Sequence, residues 1–351
     1  MDTIPPSDVI ATPSTPSNEA GVTRFDPLLA DVDIIDVRRA IAAFGPLRTY
    51  VEAPLPDGPG KGLTRRHDAV LNHYRRQQAS GRVERMDVMA ARTNLLRGTF
   101  GEPHRPLVPG VEALWNHPGF IAAAARVTGK PVVRPSMLYA NALLPGQELA
   151  VHSDTPAYVG RDQTNTPEWL LVVMLRSGLF ESQRIRIGAA VAFLSSPPAG
   201  GAFMVWEHGP DAPPTAVPAR ANTGVALDTD ALFHGVAMVG DASTPAPPVR
   251  VGSELAWDEA AGCWRLSHPS RPGEDIARYG WDEVRLSFQW KGMCHPAETD
   301  PAQAVEPTDT DTILARLVDD MRAHGALGDV LPTGPQLAIA MIDHYVRFPT
   351  T

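Results

Sequence analysis

Cysteine is almost missing from this chain: only Cys263 and Cys294 occur in 351 residues. Two cysteines far apart in sequence build no disulfide framework, and a reducing cytoplasm is the expected compartment. An excess of basic charge is missing as well. The formal charge of −9 argues against nucleic acid as a partner. No run reaches the roughly 18 apolar residues that a membrane-spanning helix needs, so no span is expected. The opening stretch MDTIPPSDVIATPSTPSNEA has no basic segment followed by an apolar one and does not read as a secretory signal. There is no GxxxxGK[ST] loop, no strand-to-helix GxGxxG and no GxSxG elbow, so nucleotide-binding and serine-hydrolase chemistries find no support. No internal repeat is visible.

What the chain has in quantity is proline, 35 residues of it, which favours strands, turns and loops over a helical bundle. Apolar residues make up 43 %, enough for a real core in one large domain or two ordinary ones. Residues 1–22, rich in Pro, Ser and Thr, are expected to form a disordered tail. Residues 23–130 read as a largely helical part packing on a core. It contains an amphipathic helix ending at Gly45, a helix over 64–79 with Thr64 as N-cap, and a helix over 111–127 broken near Pro118. Residues 131–295 are dominated by short β-type runs, among them WLLVVMLRS (169–177), expected as a buried strand, and a hairpin turning at Gly262. Residues 296–351 carry two more helices. Helices first and last with strands between give an α+β class: an antiparallel sandwich or barrel braced by helices. One catalytic domain is expected overall.

The chain is organised around Tyr139–Pro156, YANALLPGQELAVHSDTP. Side chains two apart on a strand share a face, so His152 and Asp154 can aim one imidazole and one carboxylate at a common point. That pair suits a divalent first-row metal. His234, in ALFHGVAMV on a later strand, supplies a third candidate ligand 82 positions on. Two His and one carboxylate cover one face of an octahedron and leave the other open, as in non-haem Fe(II) oxygenases, whereas a structural zinc site closes with four protein ligands. Other candidates weigh less. His67 and His73 are six apart, which is not a same-face helical spacing. The basic residues Arg65, Arg66, Arg75 and Arg76 read as a solvated helix face. Glu207 with His208 reads as a surface turn. Cys294 with His295 has no partner in the pattern, and Trp206, Trp257, Trp264 and Trp290 read as core packing.

The order of the pieces carries more than any one of them: Tyr139 and Asn141 on the strand before the motif, the PGQEL turn, His152-x-Asp154, Gly200-Gly201, His234, and Arg285-x-Ser287 on the last strand. In this order, over roughly residues 130–292, the chain resembles the 2-oxoglutarate- and Fe(II)-dependent dioxygenases. The resemblance implies a double-stranded β-helix (jelly-roll, cupin-like) core. It implies Fe(II) held by His152, Asp154 and His234, and 2-oxoglutarate and O₂ as cosubstrates. Its distal carboxylate would be bound by Arg285, with Ser287, Tyr139 and Asn141 as further cosubstrate contacts. An Arg fork meets a carboxylate with two charge-assisted hydrogen bonds. The chain departs from the pattern in spacing. Arg285 lies 51 positions after His234, and Arg250, only 16 after it, is the rival anchor. Residues 252–280 are read as an insertion that explains the gap.

The expected activity is hydroxylation of an unactivated C–H bond of a small molecule, an amino acid or a natural-product intermediate. Asp154 disfavours halogenation, because halogenating relatives have Gly or Ala at that position. Arg134, Arg161, Arg176 and Arg184 are candidates to meet an anionic substrate. Two alternatives are a cupin-like metal oxygenase that does not use 2-oxoglutarate and a non-enzymatic jelly-roll binding protein. Neither oligomeric state nor substrate is legible.

Overall fold

The computed structural model describes residues 17–19, 21–50, 67–81, 84–103, 105–297 and 306–349. Most of the expected tail 1–22 and the Thr64, Arg65 and Arg66 readings lie outside these residues. Of the tail, Ser17–Glu19 forms strand β1, paired with β2 (Val22–Phe25). Helix α1 (Asp31–Ala43) buries Val37, Ala40 and Ile41, one face at helical spacing, and opens with Asp31 and Asp33 at the positive end of its dipole. Then come β3 (Leu47–Thr49), α2 (His67–Ala79), α3 (Met86–Thr93), β4 (Leu96–Glu102) and the short β5 (Arg105–Pro106). The expected break near Pro118 separates α4 (Glu112–Trp115) from α5 (Pro118–Thr128). His117 caps α5 by accepting from the Phe120 amide, and Gly129 closes it in the left-handed region.

The central part runs through β6 (Val132–Leu143), β7 (Leu149–His152), β8 (Ala157–Tyr158), α6 (Glu168–Ser177), β9 (Arg184–Phe193), β10 (Phe203–Val205), β11 (Thr215–Val217), β12 (Thr223–Leu227) and β13 (His234–Val236). The hairpin β14 (Glu254–Asp258) and β15 (Cys263–Ser267) follows as expected, with β16 (Ala277–Tyr279) added to it, and β17 (Arg285–His295) ends the sheets. Helices α7 (Thr310–Ala323) and α8 (Gly334–Tyr345) close the chain, α7 capped by the Asp309 carboxylate on the Thr312 amide. No described helix is long and apolar enough to cross a membrane.

All strand pairs are antiparallel, and they form two sheets. The large one runs β1-β2-β12-β9-β17-β6-β4-β3-β14-β15-β16, and the small one β11-β10-β13-β7. Between β6 and β17 the chain alternates sheets: β6 large, β7 small, β9 large, β10 and β11 small, β12 large, β13 small, β17 large. Strands β6 and β17 pair over nearly their full lengths, with a bulge at Ser136 of β6 opposite Lys291 and Gly292 of β17.

Three apolar clusters follow from this layering. Val191, Phe193, Val225 and Leu227 of the large sheet meet Phe203, Val205 and Val236 of the small one. The other face of the large sheet (Ala190, Ala192, Phe288, Trp290) packs on α1, α4 and α5 through Ile41, Trp115 and Phe120. Phe233 and Trp206, beside the small sheet, pack with α6, α7 and α8. Burying one such Leu or Phe side chain stabilises by about 1.5–3 kcal/mol.

Two corrections concern elements. Residues Glu168–Ser177 form helix α6, not a strand. Every residue from Glu168 to Met174 is buried, so the run shows no periodicity to tell helix from strand. Strand β4 and helix α3 were not expected at all. The four tryptophans behave as core residues: Trp290 donates its indole N–H to Trp115 O at 3.0 Å, Trp257, Trp264 and Trp281 pack edge to face, and Trp206 joins the helical cluster.

Candidate active site

Strand register assembles the site. In the small sheet β7 and β13 are antiparallel neighbours, and His152 stands directly opposite His234. Directly opposed residues share a face, and the two rings lie 4.4 Å apart, centroid to centroid. Asp154 follows β7 by two residues. Its amide donates to Thr229 O at 2.8 Å, which fixes it against the loop that leads into β13. Asp154 Oδ1 sits 3.7 Å from His152 Nε2 and 3.6 Å from His234 Nε2. The three candidate ligands are therefore together, and the ligand atoms lie within 4.8 Å of one another.

The outer contacts set the chemical state of each ligand. His152 Nδ1 lies 2.7 Å from Ala150 O, and His234 Nδ1 lies 3.0 Å from Leu232 O. A carbonyl only accepts, so each Nδ1 carries a proton, and each Nε2 is the ring nitrogen turned toward the common point. Asp154 Oδ2 accepts from Gln289 Nε2 and from Lys291 Nζ, both at 3.0 Å. Burial alone would raise the Asp154 carboxyl, but Lys291 and the two imidazoles hold it well below the usual carboxylate range. Oδ2 is thus engaged by a cation and an amide while Oδ1 faces the histidines.

Arg285, Ser287, Gln289 and Lys291 alternate along β17 and face the space between the sheets. Arg285 is buried. Its Nε donates to Gly201 O at 2.6 Å and its Nη1 to Ser287 Oγ at 3.2 Å, and the guanidinium lies 5.2 Å from the Phe193 ring centre. Its Nη2 is buried without a hydrogen-bond partner. No carboxylate among the described residues pairs with it, and burial pushes its pKa down to about 9. A buried guanidinium without a counter-charge is costly. The Gly200-Gly201 turn makes the close approach possible: both have φ near +65°, and a Cβ on Gly200 would lie 2.0 Å from Met238 O. The rival Arg250 is exposed in a turn after the small sheet, where Ser253 Oγ accepts from its amide.

The other candidates are placed as follows. Asn141 lies beside Ser287 in the β6–β17 register, and its Oδ1 accepts from Arg97 Nε at 2.8 Å. Tyr139 lies beside Gln289, and its hydroxyl points to Met137 Sδ at 3.0 Å. Neither contacts Arg285. Arg184 faces Asp230 and Asp228 at 3.6 and 3.7 Å, Arg161 holds Thr308 O and Thr310 Oγ1, and Arg176 donates to Ala231 O. Arg134 is exposed. Glu207 pairs with Arg24 at 3.9 Å, and Cys294 and His295 join no candidate metal group among the described residues.

Sequence reasoning passed over Gln289, Lys291 and Asp230. The first two were legible by parity, since 285, 287, 289 and 291 share a strand face. Asp230 was not: only burial makes it unusual. Desolvation lifts its carboxyl to about 7, against the opposing pull of Lys291 and Arg184.

No protein-family model matches the chain, and no curated protein matches it in sequence. Solved structures do. The prolyl hydroxylase from Trichoplax adhaerens, in complex with a hypoxia-inducible-factor peptide, is 10% identical, with 78% of this chain and 84% of that one covered at a TM-score of 0.38. The non-haem α-ketoglutarate-dependent carbocyclase SnoK from nogalamycin biosynthesis is 12% identical, covering 82% and 88% at a TM-score of 0.37. HygX from Streptomyces hygroscopicus, with nickel and 2-oxoglutarate bound, is 12% identical, covering 83% and 89% at a TM-score of 0.35. These likenesses are remote, and the chemistry has to be read from the chain's own residues.

Proposed function

We propose that this chain is a non-haem Fe(II)- and 2-oxoglutarate-dependent oxygenase on a double-stranded β-helix core spanning 131–295, with 252–280 inserted between its last two strands. The observation that carries the reading is the pairing of two features on one inner surface. One is an open His152–Asp154–His234 donor set. The other is the buried, uncompensated Arg285. A metal site alone explains the first; only a ligand bringing its own carboxylate explains the second. The alternation of the chain between two antiparallel sheets supports the core assignment.

When bound, Fe(II) with 2-oxoglutarate supplies oxidative attack on an unactivated C–H bond, with succinate and CO₂ as coproducts. The chain's own residues do the rest. His152 and His234 present neutral Nε2 donors, held by the carbonyls of Ala150 and Leu232. Asp154 would offer Oδ1 to the metal, since Lys291 and Gln289 retain Oδ2. Arg285 Nη2 and Ser287 Oγ receive the distal carboxylate, and Gly201 O fixes the guanidinium plane. Asn141, held by Arg97, and Tyr139 stand on β6 beside this path as further cosubstrate contacts. The apolar wall of Phe193, Phe203 and Val191 excludes water. Asp154 occupies the place a halide would need, so hydroxylation or a related oxidation of a small molecule is the expected outcome.

The test is succinate release from 2-oxoglutarate with Fe(II) and O₂, together with visible charge-transfer absorption when Fe(II) and 2-oxoglutarate are added anaerobically. Absence of both sinks the assignment. Fe(II) binding with O₂ consumption but no 2-oxoglutarate dependence, unchanged in Arg285→Ala, would move it to the metal oxygenases that need no keto acid. No Fe(II) binding at all would leave a binding protein.

A further inference from the structure

A second arginine lacks a counter-charge on the same inner surface, and it is not Arg285. Strands β3, β4, β6 and β17 bring Arg48, Arg97, Asn141 and Ser287 into one cross-strand row, all on one face, and β14 adds Glu254 opposite Arg48. Within this row Arg48 is neutralised by Glu254 at 3.1 Å. Arg97 has no acidic partner among the described residues.

Arg97 is nevertheless held firmly. Its guanidinium lies 4.2 Å from the Tyr50 ring centre and 4.7 Å from that of Tyr139, and its Nε donates to Asn141 Oδ1 at 2.8 Å. Two aromatic contacts and an amide fix the group, yet no described residue hydrogen-bonds or ion-pairs with Nη1 or Nη2. Unlike Arg285, Arg97 is only half-buried, so a solute can reach it. It stands two strands from Ser287, about 10 Å at the usual strand spacing of roughly 4.8 Å. Tyr139, whose ring faces the Arg97 guanidinium, pairs with Gln289 of β17 in the strand register, and Gln289 donates to Asp154.

We propose that the Nη edge of Arg97 is the receptor for a carboxylate of the substrate, so that the enzyme acts on a small organic acid anchored at Arg97 with its reacting carbon toward the His152–Asp154–His234 group. The inference rests on the oxygenase reading and gives it a substrate class. Rings against the guanidinium and an amide on Nε leave the Nη edge for approach. A planar edge with two parallel N–H groups matches a planar carboxylate better than a tetrahedral or cationic group. Arg285 retains the cosubstrate, and Arg97 is a second, reachable cation for a second acid.

The experiment uses the full chain with a panel of small acids: benzoate, phenylacetate, hexanoate and the free amino acids, each beside its methyl ester or amide. Two readouts are taken, stimulation of succinate release and thermal shift of the metal-free protein. The wild type is expected to prefer at least one acid to its ester by about tenfold or more in KM, the size expected for a charge-assisted contact. Arg97→Met collapses that preference to within about twofold, and Arg97→Lys recovers part of it, because it keeps the charge without the planar edge. Esters or amides that act as well as every acid, a panel in which no acid stimulates or stabilises the wild type, or an Arg97→Met variant that still prefers the acid would each overturn the proposal. Failure of the oxygenase reading itself shows separately, as no succinate and no charge-transfer band, while the acid-dependent thermal shift still judges Arg97.

Discussion

Two places among the described residues gather two histidines and one aspartate with ligand atoms within 4.8 Å of one another: His152, Asp154 and His234 between the sheets, and Asp320, His324 and His344 at α7 and α8. By residue type they are equivalent. They differ in what surrounds them. The inner histidines stand on paired strands and the group is largely buried; His324 and His344 are exposed. Asp154 gives one oxygen to Lys291 and Gln289, a cation and an amide, whereas the Asp320 carboxylate accepts from the Tyr345 hydroxyl, at 2.7 Å. Only the inner group shares its surface with a buried, unpaired guanidinium. The donor set alone therefore does not distinguish the two groups; burial, outer contacts and a nearby unpaired charge do.

The contrast breaks most sharply at the ligands. His234→Ala is expected to abolish Fe(II) binding, measured by anaerobic titration, and to cut succinate release by more than about 100-fold, beyond the usual range for outer contacts. Equal loss in His344→Ala would erase the distinction. Next comes the complementary charge. Arg285→Ala should raise the KM for 2-oxoglutarate by about 30- to 1,000-fold, on the order of 2–4 kcal/mol for truncating a buried charge pair. Arg250→Ala should leave it unchanged. Lys291→Met tests the outer contact, with an expected loss of about 10- to 100-fold in turnover or metal affinity. Gln289→Ala should cost less, since an amide contributes no charge.

A smaller effect is read from pH. The Asp230 carboxyl is raised to about 7 by burial, above its unfolded value of 3.8. Its contribution to stability is full below the unfolded value and is lost as pH rises through the folded one. Asp230→Asn removes that dependence. The melting temperature of the variant, relative to wild type, should therefore climb between pH 4.5 and 8. A flat difference would show that the carboxyl does not titrate in this window. Smallest of all, His324→Ala and His344→Ala should leave succinate release within about twofold, the range of surface changes away from a site.

How much of this was legible in the sequence follows from the same physics. His152-x-Asp154, His234 and Arg285-x-Ser287 could be picked out because strand parity and motif order are properties of the chain. The direct pairing of His152 with His234 was not, because register between strands 82 positions apart is decided by packing. What distinguishes Arg285 from Arg250 is burial, which spacing does not encode. Helix α6 was misread because its apolar residues are buried all round, and β4 escaped notice because LRGTFGE places glycines where a strand pattern expects side chains. With β4 went Arg97, whose interest lies entirely in its cross-strand neighbours.

The bulge at Ser136 of β6 lies opposite Lys291 and Gly292 of β17, just beyond the last of the four inward polar residues. From Arg285 to Lys291 the strand keeps strict alternation, and after it the phase against β6 is reset. The two strands therefore differ in their tolerance to length change. One residue inserted in β17 between Arg285 and Lys291 would turn part of the inward set toward the helices, and β17 runs in unbroken register with β9 from Ser287 to Cys294. One residue gained or lost in β6 at Ser136 meets a ladder already interrupted there. The freedom to change length thus lies on β6, beside the four inward polar residues and not among them.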